Sequence, residues 1–83
     1  MRNCDKTDKL ILANLSTVPL TVVEMLAREH GDRLYLVSAA EVRRWEQRLA
    51  HGLLAEQFKI YSKAGRYWVG SKTMAKIRAK LSP

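Results

Sequence analysis

The chain has 83 residues, 47% of them hydrophobic, with 15 Lys and Arg against 8 Asp and Glu and a formal net charge of +7. Chains split into separate cores only above roughly 250 residues, so one domain over 1–83 is expected, with a short frayed stretch over about 1–5. High net charge marks disorder only when hydrophobicity is low, which excludes a disordered chain here.

A lone cysteine, Cys4, cannot close an intramolecular disulfide, and the polar start Asn3-Cys4-Asp5-Lys6 does not read as a secretory signal. A reducing, cytoplasmic setting is expected. The longest apolar stretches, Leu10–Ala13 and Leu34–Val37, fall well short of the roughly 17 residues that a membrane span requires. No membrane partner is expected.

Asp5 or Thr7 can cap a first helix running to about Leu15, and Ser16–Pro19 break it. Thr21-Val22-Val23-Glu24 is a capping box, and Gly31 is placed to end the helix that follows, over 22–30. Leu34–Val37, rich in strand formers, reads as a short third strand. Ser38-Ala39-Ala40-Glu41 is a second capping box and Gly52 a second stop, which predicts a helix from about Ala39 to His51. At 100° per residue Val42, Trp45 and Leu49 fall on its buried side, and Ala40, Arg43, Arg44, Gln47 and His51 on its outer face. Phe58–Ser62 and Arg66–Val69 alternate about Lys63-Ala64-Gly65, the pattern of a β-hairpin. Either Tyr67 or Trp68 should face outward. Ser71 can cap a last helix with Met74, Ile77 and Leu81 inward and Lys72, Lys76 and Lys80 outward.

Charge is unevenly spread along these elements. Residues 1–56 carry as many acids as cations, whereas 57–83 hold Lys59, Lys63, Arg66, Lys72, Lys76, Arg78 and Lys80 with no acid at all. A molecule polarised in this way attracts polyanions to one end. Catalytic and cofactor signals are absent: His30 and His51 lie on different helices, and no Gly-rich phosphate loop or HExxH motif occurs. A single Cys and two distant His fall short of a zinc set. The expectation is therefore a protein that is not an enzyme and holds neither metal nor cofactor.

Three helices, a hairpin and a closing helix are the order of a winged helix-turn-helix domain, an α+β fold, and several segments resemble that family. Pro19–Leu26 resembles the start of its second helix, Val42–Leu54 its recognition helix running into the first wing strand, and Gly65–Val69 with Ser71 and Lys72 its return strand and closing helix. Gly31–Val37 departs from the pattern, because a compact helix-turn-helix joins its helices in roughly three or four residues. The resemblance implies double-stranded DNA as partner, with the third helix in the major groove and the hairpin on the backbone. Carried over residue by residue, Arg43, Arg44, Gln47 and Arg48 become readers of base edges, with Ala40 admitting close approach. Lys63 and Arg66, flanking a turn with no acid beside them in sequence, become phosphate contacts, and Lys72 and Lys76 extend that surface. The expected role is transcriptional regulation, or an accessory function in recombination or replication; two-fold operators would require a homodimer. The alternative is the same fold turned against an acidic protein partner, as in a small phage-encoded inhibitor of a host nucleic-acid-processing complex.

Overall fold

The structure is a computed structural model in which residues 4–82 are described. Helix α1 spans Lys6–Asn14, strand β1 Leu20–Thr21, α2 Val22–His30, α3 Ala39–Ala50, α4 Leu53–Gln57, β2 Ile60–Lys63, β3 Arg66–Val69 and α5 Ser71–Leu81. The result is a small α+β unit in which the helices accompany a three-stranded antiparallel sheet of order β1-β3-β2. Among the described residues no helix is long and apolar enough to cross a membrane.

Reciprocal capping starts the first two helices. Asp5 accepts from the Asp8 amide at 2.9 Å while the Asp8 carboxylate accepts from the Asp5 amide, and Thr21 and Glu24 repeat the exchange at α2. Each box satisfies two of the donors that a helix start leaves without partners. The frayed stretch expected over 1–5 is corrected in its last two residues: Asp5 is the α1 cap and Cys4 is buried in the core. Residues 1–3 lie outside the described residues. At α3 only half of the second box forms. Ser38 accepts from the Glu41 amide at 3.2 Å, but the Glu41 carboxylate instead accepts from the buried Trp45 indole at 3.0 Å.

The core joins Ile11, Leu12 and Leu15 of the α1 region to Val22, Met25 and Leu26 of α2, Trp45 and Leu49 of α3, and Leu54, Phe58, Val69 and Ile77 beyond. Trp45 is its largest fully buried side chain, at 1% exposure. Asn14, also buried, donates to the Leu10 carbonyl and to Glu29, both at 2.8 Å, and so ties α1 to α2. Val42 is half-buried rather than buried, and Leu81, expected inward on α5, is exposed.

Three elements differ from the sequence reading. Leu34–Val37 is not a strand: Gly31–Leu36 winds into a 3-10 helix, and the Val37 amide donates to the Leu34 carbonyl at 2.9 Å. The backbone hydrogen bonds of that segment close within its own 3-10 turns rather than across a sheet. The two edges of β3 pair with β2 and with the two-residue β1, through Leu20 opposite Tyr67 and Thr21 opposite Arg66, so the third strand comes from Leu20–Thr21. The Leu53–Gln57 segment forms a short helix after Gly52, whose φ of +97° turns the chain out of α3. The first hairpin strand accordingly begins at Ile60 rather than at Phe58. At the last helix Gly70, not Ser71, holds the cap position, and no side chain caps it.

Candidate nucleic-acid interface

Helix α3 and the hairpin present most of the residues singled out from the sequence. Trp45 and Leu49 fix the buried side of α3, so the helical repeat places Ala40, Gln47 and His51 at the centre of its outer face. Two charge interactions orient the flanks. Arg48 reaches α1, and Glu46 lies near Tyr67 of β3, where its charge adds to burial in pushing the phenol pKa up. Arg43 therefore stands on the hairpin side of the outer face and Arg44 on the α1 side. All of Ala40, Arg43, Arg44 and Gln47 are exposed.

The cations of this surface are not equivalent. One Arg48 nitrogen donates to both Asp5 oxygens, at 2.7 and 2.8 Å, and to Asp8 at 3.1 Å. Its side chain is only 31% exposed. The Arg48 hydrogen bond, followed by the Asp8 amide, holds the Asp5 carboxyl below its usual range, and the same carboxylates raise the guanidinium pKa. Arg48 is thus a clamp between α3 and the start of α1. Arg44 pairs with Glu41 one turn back but stays half-exposed. Arg43 has no ion-pair partner among the described residues. A shallow depression lined by Arg44, Gln47, Arg48, His51 and Gly52 lies at the C-terminal end of α3.

Local sequence explains the hairpin tip. Ala64 and Gly65 both have positive φ, +53° and +76°, the signature of a type I′ turn, which matches the twist of the flanking strands. Lys63 and Arg66 stand opposite each other beside it, both exposed. The expectation that no acid lies near them is corrected by the fold. Thr21 is opposite Arg66 in the sheet, and the box partner of Thr21, Glu24, receives the Arg66 guanidinium at 2.7 Å. The Thr21 amide first, and Arg66 in addition, hold the Glu24 carboxyl below its usual range. Lys63 has no such partner among the described residues.

Strand pairing also decides which aromatic faces outward. Tyr67 packs with Ile60 against the core, so Trp68 projects from the opposite face. There it stacks on Tyr61, with ring centroids 5.7 Å apart and planes 18° apart, and the Lys59 ammonium sits 5.5 Å from the Tyr61 centroid. Sequence reasoning did not nominate Tyr61 or Lys59, nor the acid Glu46 between α3 and the hairpin. The signal for the aromatic pair was present: a two-residue turn at Ala64-Gly65 places Tyr61 directly across from Trp68.

Lys72, Lys76 and Lys80 are exposed along α5 as expected. That helix packs on α1. Among the described residues no three His, Cys, Asp or Glu side chains are grouped so as to hold a metal ion. Compared with protein-family models, with curated proteins and with solved structures, the chain matches none.

Proposed function

We propose that the chain is a winged-helix protein that binds double-stranded DNA, with α3 in the major groove and the β2–β3 hairpin as a wing along the backbone. One observation carries the reading: exposed cations without acid partners, Arg43 and Lys63, occur on α3 and at the hairpin tip, while Arg48 and Arg66 are held by carboxylates. Arg43 and Gln47 read base edges, Ala40 admits close approach, and Arg44 contributes by exchanging Glu41 for a base or phosphate. Lys63 contacts phosphate. Arg66 and Arg48 serve mainly to brace the surface from behind. Lys72 and Lys76 add long-range attraction. A transcriptional regulator, or an accessory factor of recombination or replication, is the role that this chemistry fits, in the reducing compartment expected from a single buried cysteine.

Anisotropy titration of a labelled random-sequence duplex tests the reading. Native protein should bind it with strong salt dependence, and joint replacement Arg43→Ala with Gln47→Ala should weaken binding while leaving the fold intact. Salt-independent or absent binding would reject it. A protein-directed role has one feature in its favour, the exposed Tyr35 and Leu36 on the 3-10 segment, at 80% and 67% exposure. Under the DNA reading Tyr35→Ser leaves duplex affinity unchanged.

A further inference from the structure

We propose that the outer face of the hairpin is a stacking site for an unpaired base of single-stranded DNA. The inference rests on the duplex reading for the choice of DNA as the occupant, but its evidence lies on a different surface. Pairing Tyr61 with Trp68 and Lys63 with Arg66 puts all four side chains on one face of the sheet, since directly opposed residues share a face. The core takes the other face through Ile60, Tyr67 and Val69. Tyr61 is 42% exposed and Trp68 half-buried, and neither belongs to the core.

The chemistry of this face selects its occupant. Two nearly parallel rings form a flat, polarisable platform, and Lys59, Lys63 and Arg66 surround it with positive charge. The one acid in the group is Glu24, and Arg66 already engages it. A partner that is flat and apolar at one end and anionic at the other is a nucleotide. Bases inside a duplex have both faces covered by their neighbours, so away from duplex ends only an unpaired base offers a free π face. Lys59 sits over Tyr61 on a flexible stem and can yield that position to a base while turning its ammonium to the adjoining phosphate. Tyr67, on the inner side of the same hairpin, has its phenol pKa pushed up by burial and by the charge of Glu46 on α3. A strand leaving the end of a duplex held by α3 is therefore the occupant to which the proposal commits.

Tryptophan fluorescence provides the test, using the full chain and a single-stranded oligothymidylate. Trp45 is buried, so stacking quenches Trp68 selectively. Saturable quenching of part of the emission is expected in the native protein. Tyr61→Thr, which keeps a strand-forming residue and the Trp68 reporter, should weaken oligothymidylate binding by roughly 5- to 100-fold. Tyr61→Phe should restore it, and neither change should alter affinity for a blunt duplex. Loss confined to the single strand supports the proposal even if the native chain fails to bind blunt duplex, a result that would remove only the duplex reading. Oligothymidylate bound without quenching in the native protein, a measurement that needs no variant, overturns the proposal. It is equally overturned if folded Tyr61→Thr loses thermal stability but not affinity, because the rings would then be a hairpin-stabilising pair only. Tighter binding of oligouridylate than of oligothymidylate would overturn the assignment to DNA.

Discussion

The two ends of the molecule use charge differently. Around α1, α2 and the start of α3, carboxylates have assigned partners: Asp5 and Asp8 clamp Arg48, Glu24 closes a capping box and holds Arg66, Glu29 receives Asn14, and Glu41 takes both Arg44 and the Trp45 indole. From residue 57 onward there is no acid, and of seven cations only Arg66 has an ion-pair partner among the described residues. A net charge of +7 therefore understates the contrast. In the first region several opposite charges pair to hold helices in place, and in the second the cations other than Arg66 have no ion-pair partner among the described residues.

That division can be broken first at its structural end. Trp45→Ala removes the largest fully buried side chain, and unfolding monitored in urea should show a loss of about 3 to 5 kcal/mol, a large share of the stability of so small a domain. Arg43 is the exception in the first region, a cation on α3 with no ion-pair partner among the described residues, and Arg43→Ala should leave the urea midpoint unchanged. It should instead relax preference at a single base position by about 1 to 3 kcal/mol, read by selecting bound sequences from a random duplex pool. If Arg43→Ala destabilised the fold as well, the separation of bracing from binding residues would fail.

The hairpin sharpens the comparison through its turn. Ala64 occupies a left-handed conformation that Asn and Gly adopt more readily, so Ala64→Asn should stabilise the protein by about 1 kcal/mol in thermal unfolding without affecting the Arg48 clamp. The clamp itself has a pH signature. Because the Asp5 carboxyl is held below its usual range in the folded protein, its contribution is complete above the unfolded value near 4 and disappears as pH falls through the lowered one. Arg48→Met should cost about 1 kcal/mol at neutral pH, little of it from the exposed Asp5 and most from Asp8, which is only 11% exposed and loses its ion-pair partner, and should flatten the acid-side fall in stability. An undiminished acid-side fall in that variant would assign the pH dependence to other groups. The smallest effect is expected at Glu46, whose charge stands between α3 and the hairpin. Glu46→Gln should raise duplex affinity by about two- to fivefold at low salt, with little change at high salt.

Much of the fold was legible because its signals are local. The Thr21-Glu24 box and the Ser38 and Gly52 boundaries fixed α2 and α3 to within a residue, and the alternation about Ala64-Gly65 located the hairpin. Elements that depend on distant partners were not legible. Leu20–Thr21 is a strand because it pairs with β3, whereas Leu34–Val37, with better strand formers, pairs with no strand and winds largely into a 3-10 helix. Among the candidate site residues the same limit applies. Arg43 and Arg44 adjoin each other in sequence and both reach the surface, yet the clamp on Arg48 comes from carboxylates 40 and 43 positions away, and the partner of Arg66 lies 42 positions away. Periodicity assigns a side chain to a face, but only tertiary packing determines whether its charge is already taken.

Salt dependence of duplex binding measures that distinction directly. Each cation that neutralises a phosphate contributes about one unit to the slope of log affinity against log salt. Lys63→Ala should make the slope shallower by about one unit, while folded Arg48→Met should leave it as in the native protein. Native protein without salt-dependent binding, or an Arg48→Met slope reduced as much as that of Lys63→Ala, would contradict that distinction.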